Sequence, residues 1–288
     1  MAPCYASQDA YSPRKADGRR GRRMSGPTYM QFHLAFLLPV VAMLLAAATV
    51  TRTRTIRSTV WPVGRPIYWT GVAIVTLVAV IYTTPWDNYL IARGVWGYGD
   101  GRTIAHLGFA PVGEYAFFVI QPILTALWLG QLTLRPGWPE LSGLGKIADW
   151  GRVLEVGRLG LGLRLIGVVA AVSIGVFGGL ALATPDTFYL GAILVWAAPV
   201  LFVQWVVGLP QLLYQRRTVA LGVAVPTLYL WIIDRVALAT GIWYISPTYT
   251  TGIELFGLPI EEALFFLVTN LFVVQGLVLF RWVVDRWA

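Results

Sequence analysis

The chain has 288 residues, of which 57% are apolar and only 12% charged, about half the ~25% charge usual for a soluble domain. A net charge of +8 with a pI near 9.8 would suggest nucleic acid in a soluble protein. Here the basic residues fall between long charge-free runs, so they report membrane topology and no nucleic-acid partner is expected.

Residues 1–23 are polar and rich in Arg, Gly, Ser and Asp, which predicts a disordered basic tail, and a mis-assigned start upstream of Met24 would explain it. From Met24 to Thr51 no charge occurs in 28 residues, which predicts a first membrane helix over 28–48. Further runs are Pro66 to Trp86 (21 residues), Tyr115 to Leu134 (20), Leu165 to Pro185 (21), Thr187 to Gln215 (29), Thr218 to Ile233 (16) and Ala263 to Phe280 (18). They predict helices over 67–84, 112–133, 163–184, 188–208, 219–240 and 258–282. The segments lack the strict alternation of barrel strands, so the fold class is an all-α integral membrane bundle of seven transmembrane helices.

Loops 1, 3 and 5 with the C-terminus carry thirteen Lys and Arg, whereas loops 2, 4 and 6 carry only Arg93, Arg102 and Arg235. The positive-inside rule then predicts a multi-pass protein of the cell membrane with a cytoplasmic C-terminus and loops 2 and 6 outside. The basic cluster from Arg14 to Arg23 contradicts this orientation if the tail is native, and a cytoplasmic tail with reversed topology is the alternative.

The halves of the chain repeat. The segment from Asp87 to Trp96 matches that from Asp234 to Trp243 at an offset of 147, and both read D-x6-G-x-W. Pro111 to Phe118 matches Pro259 to Phe266 at an offset of 148, as P-x2-E-x2-F-F. Tyr29 and Pro39 match Tyr189 and Pro199. The expected organisation is the tail 1–23, a first repeat 24–134, a basic loop and connecting helix 135–187, and a second repeat 188–288. A shift of four helices gives both three-helix copies the same orientation, related by an axis along the membrane normal.

Glu114 and Glu262 follow a proline at a helix start, where the dipole alone favours an acid by ~0.3–1 kcal/mol. Recurrence in both copies argues for more, because a carboxyl at the edge of an apolar bundle is expensive unless used or paired. Glu261 is adjacent to Glu262, hence ~100° away on the helix, and it matches only Gly113, so Glu262 is the expected member of a shared cavity. Asp87 and Asp234 are placed at the ends of helices 2 and 6, where the dipole disfavours acids, with an ion pair to Arg93 or Arg235 as the alternative. By composition, Trp86, Trp96, Trp243 and Tyr98 read as interfacial-belt aromatics.

Other chemistries find little footing. Cys4 is the single cysteine, and His33 and His106 are too few for a histidine cage, so no metal is expected. Gly157 to Gly167 does not spell a dinucleotide-binding loop. The only lysines, Lys15 and Lys146, leave a last-helix Schiff base without its residue.

Pro85-Trp86-Asp87-Asn88-Tyr89, Gly94-Val95-Trp96 and Leu258-Pro259-Ile260-Glu261-Glu262, followed by Phe265-Phe266 and Thr269-Asn270, are together similar to the membrane-integral lycopene cyclases. That family works as two small subunits in some bacteria and as one tandem polypeptide in archaea and fungi. The resemblance runs from about Tyr29 to Phe280, and Gly113 departs from it where a second acid is expected. It implies acid-catalysed closure of lycopene end groups to β-ionone rings, towards γ- and β-carotene, with no net redox change. Glu262 would be the acid, held neutral by a water-poor site, and Glu114, Asp87 or Asp234 could take the final proton. Phe117, Phe118, Phe265, Phe266, Trp96 and Trp243 would bind the substrate, with Phe265, Phe266 and Trp243 stabilising the carbocation. No cofactor follows, although a reduced flavin has room as a helper. The expected partners are lycopene, membrane lipid and other carotenoid enzymes. A carotenoid end-group hydratase, or a non-enzymatic carrier or scaffold using the acids as a relay, stays open.

Overall fold

The computed structural model of the chain describes residues 26–54, 66–133 and 158–287. The predicted tail 1–23 and most of the two basic loops, 55–65 and 134–157, lie outside the described residues.

Seven described helical segments are long and apolar enough to cross a membrane, the number read from the charge-free runs. The first span opens at α1 (Tyr29–Phe32), where Thr28 and Gln31 form a reciprocal capping box. It passes through a wider π turn over His33–Leu37 and continues as α2 (Leu38–Arg54). Pro39, which cannot donate to a carbonyl four residues back, lies just beyond that turn. The remaining spans are α3 (Pro66–Ala92), α4 (Val112–Thr133), α5 (Arg158–Ala181), α6 (Phe188–Tyr214), α7 (Arg216–Ala239) and α8 (Ile260–Trp287).

α3 runs through Pro85 to Ala92, past its expected end at residue 84, so Asp87 sits inside a helix rather than at its end. α7 ends at Ala239, close to its expected end, and Asp234 also lies inside the helix rather than at its end. The Thr84 hydroxyl donates to the Val80 carbonyl and the Asn88 amide to the Thr84 carbonyl, supplying polar partners around the proline. α6 likewise extends past its expected end to Tyr214, kinking at Gly208, where the Leu279 side chain presses close.

α4 and α8 are the most enclosed spans and α5 the most lipid-facing, packed mainly on α6. Midway along the central helices, Asn270 accepts from Gln121 at 2.8 Å and Thr125 at 2.6 Å and donates to Thr227 at 3.1 Å. This buried amide joins α4, α7 and α8 where unpaired polar groups are costly.

One end of the bundle carries all the described strands. In the α3–α4 loop, β1 (Trp96–Tyr98) is followed by a hairpin of β2 (His106–Leu107) and β3 (Ala110–Pro111). In the α7–α8 loop, β4 (Trp243–Ile245) is followed by β5 (Glu254–Leu255) and β6 (Leu258–Pro259). β1 and β4 pair antiparallel, Trp96 with Ile245, Gly97 with Tyr244 and Tyr98 with Trp243. At the 147-residue offset, this register is symmetric about the Gly97–Tyr244 pair. Helix starts are tied to the same loops in matching ways, Tyr29 N to the Arg102 carbonyl at 2.8 Å and Tyr189 N to the Tyr249 carbonyl at 3.1 Å.

Candidate active site

Beneath the β1–β4 clasp lies a small cavity of about 60 Å³, bounded by the upper ends of α1, α3, α4, α6, α7 and α8. Asp87, Glu114, Asp234 and Glu262 all line it. Four of the five acids singled out in the sequence therefore converge from four helices, Asp87, Asp234 and Glu262 buried and Glu114 half-buried.

Each glutamate is held by a tyrosine. The Tyr189 hydroxyl donates to Glu262 Oε1 at 2.8 Å. The Tyr98 hydroxyl donates to Glu114 Oε1 at 2.5 Å, and Tyr29 lines the cavity with Glu114. Tyr98 lies in the loop outside the spans, where burial and then the facing Glu114 charge push its phenol well above the ordinary range, so it stays a donor. The Trp243 indole donates to Asp234 Oδ1 at 2.9 Å, leaving Asp234 Oδ2 without a partner, as is Asp87 Oδ2. Arg93 is turned to the Phe188 ring, 4.1 Å from its centre.

Glu261 does not line this cavity. It is fully buried, and its Oε1 accepts from the Thr251 amide at 2.7 Å, holding the loop ahead of β5. The matching position in the first copy is Gly113, where any Cβ would collide with the Tyr29 ring. The acid missing from the first copy therefore has a steric reason.

The aromatic wall is formed by Phe117, Phe265, Phe266, Trp96 and Trp243. Trp96 is buried at 9% exposure, which corrects its assignment to an interfacial belt, and Trp243 is engaged with Asp234. Composition alone misled there because a belt and a lined cavity draw on the same residue types. Phe118 faces away, into a neighbouring apolar cavity of about 590 Å³ between α3, α6 and α8. Phe117 and Phe265 border both spaces, and the larger one continues past Tyr82, Phe272 and Gly276 to Val283. Trp86 stacks on Trp196 and Phe265 at 4.8 and 5.7 Å and borders a further apolar groove of about 740 Å³.

Sequence reasoning passed over Tyr29, Tyr98, Tyr189 and His33 as site residues. The Tyr29/Tyr189 match was a usable signal for two of them, since it recurs with the same offset to Pro39 and Pro199. His33 carried no repeat signal. It lines the cavity at 1% exposure with neither ring nitrogen hydrogen-bonded, a state that costs ~1–3 kcal/mol per orphaned polar group. Among the described residues, no group of three metal-ligating side chains is arranged to hold an ion.

Comparison with known proteins places this geometry in context. The chain is 47% identical over 217 residues to lycopene beta-cyclase of Halobacterium salinarum, covering 75% of this chain and 84% of the relative. It is 35% identical over 256 residues to the bifunctional lycopene cyclase/phytoene synthase of Gibberella fujikuroi, covering 88% of this chain but only 40% of that longer protein. A protein of the same description from Aspergillus oryzae is 29% identical over 262 residues, covering 88% of this chain and 39% of the relative. No family model and no solved structure matches the chain.

Proposed function

Because the chain belongs to the lycopene β-cyclase family, we infer that it is a membrane enzyme closing β-ionone rings on lycopene, with Glu262 as the acid. The observation that carries this assignment is the convergence of Glu262 with three further acids and an aromatic wall in one cavity. A hydrocarbon offers no basic atom, so the donor has to be a neutral carboxyl, and a water-poor setting favours that form.

Protonation of the terminal double bond forms a tertiary cation, the second double bond attacks it to close the ring, and the cation moves to the ring carbon. Loss of a neighbouring proton leaves the β-ring double bond. Phe265, Phe266 and Trp243 offer π faces that stabilise the cation without capturing it. The 60 Å³ cavity is too small for the closing end group, so the Phe117 and Phe265 side chains have to turn as the polyene seats in the adjoining 590 Å³ cavity. On α8 the lining runs from Phe265 to Val283, about 27 Å of helix at 1.5 Å per residue, which suits an extended chain lying along the bilayer normal.

The two three-helix units form a duplicated pair about an axis through the β1–β4 clasp, a reading supported by the self-symmetric register. The excess of Lys and Arg in the opposite loops supports a clasp end facing outside and a cytoplasmic C-terminus. Expression in lycopene-accumulating cells tests the function directly, with pigments separated by chromatography. The parent chain should yield β-ring products. Glu262→Gln, which keeps shape but loses the transferable proton, should leave lycopene unconverted by a factor of ~10²–10⁴. An equally active Glu262→Gln protein would remove Glu262 as the acid.

A further inference from the structure

Resting on the cyclase reading, we propose that His33 is the base that removes the ring proton and so fixes the position of the product double bond. The imidazole lies in the acid cavity, buried, with Nδ1 and Nε2 both unpartnered. Its position is set by the π turn that begins at His33, a distortion often found at functional sites. The Tyr29 ring packs against it, tilted by 36° with ring centres 4.6 Å apart, and the Phe117 ring lies within 16° of parallel at 6.4 Å. A packing residue needs no ring nitrogens there, and the second copy has Ile193 at the corresponding place, also fully buried.

The alternatives fit the role less well. Glu114 already accepts from the Tyr98 hydroxyl, and to act as a base it would have to carry a negative charge at rest beside the other acids. Glu262 is the donor and is bonded to Tyr189. Asp87 and Asp234 would have to carry a negative charge at rest, beside other acids in an apolar space. A neutral imidazole takes a proton without that prior charge. The electron pair of the broken C–H bond becomes the ring double bond, and the proton moves to His33. The imidazolium so formed shares the cavity with the Glu262 carboxylate left by the first step. Return of the proton across the cavity restores both groups, and no outside reactant is used.

Loss of this base should change which proton leaves, a readout that a purely structural residue would not move. His33→Gln and His33→Ala should slow cyclisation by ~10²–10⁴-fold, and the residual product should contain rings with a shifted or exocyclic double bond. In detergent-solubilised His33→Ala protein, added imidazole should restore rate and the β-ring fraction together. Equal protein levels in the membrane are checked for each variant. β-Rings alone at the parent rate, or a slowdown in both variants with unchanged ring composition and no response to imidazole, would overturn the assignment. Glu262→Gln is run alongside. If it stays active the acid reading fails, whereas an inactive Glu262→Gln with unaltered ring composition in the His33 variants removes His33 alone.

Discussion

Glu261 and Glu262 are neighbours in the chain but have different surroundings, because one helical step of ~100° turns Glu262 into the cavity and Glu261 towards the loop at Thr251. Glu261→Gln retains an oxygen for the Thr251 amide, so β-ring production should stay within a few-fold of the parent chain. Glu261→Ala leaves that amide unmatched and should cost ~1–3 kcal/mol of stability, read as a lower midpoint of thermal unfolding in detergent. A loss of activity in Glu261→Gln as deep as in Glu262→Gln would contradict this division. The choice between the two acids was legible in the sequence, since only Glu262 has a counterpart in Glu114. Tyr29 and Tyr189 were visible as a match but not as site residues, because a phenol at a helix start announces no direction, and Tyr98 had no match at all. His33 was illegible for a related reason: a single histidine in an apolar run has no pattern, and its significance lies in what it fails to bond.

At the scale of elements, the seven spans follow from charge-free length alone, whereas their ends do not. The helix expected over 67–84 runs on through Pro85 to Ala92, and side-chain hydrogen bonds from Thr84 and Asn88 accompany it there. β1 and β4 have three residues each, too short for any alternation to register, so the two D-x6-G-x-W segments could be matched but not paired. The apolar cavity beside α8 rests on one small residue. A Cβ at Gly276 would meet Val75 and Gln204 at 3.4 and 3.6 Å, ordinary contact, and the matching position in the first copy is Trp128. Gly276→Ala should be close to neutral. Gly276→Trp should fold and yet lower lycopene conversion by about 10–100-fold by displacing the polyene. A short analogue carrying only the end group should be spared, and equal loss on both substrates would argue against the polyene lying there.

For the molecule as a whole, the β1–β4 clasp caps one end of the bundle, and the proposed function then makes the route of the substrate a testable matter. Trp96, Trp243 and Ile245 on these strands roof the acid cavity, and the large apolar spaces lie to its side between spans. The clasp side chains narrow the approach from that end while the large apolar spaces open between the spans, and both lycopene and its cyclised products are themselves lipid-soluble. Turnover should accordingly obey two-dimensional kinetics, governed by substrate molecules per lipid rather than per litre. In vesicles holding fixed amounts of enzyme and lycopene, extra lipid fused into the same bilayers should slow the initial rate in proportion to the dilution. Extra buffer should leave it unchanged, and a rate that tracked aqueous volume would mean that substrate arrives through the clasp.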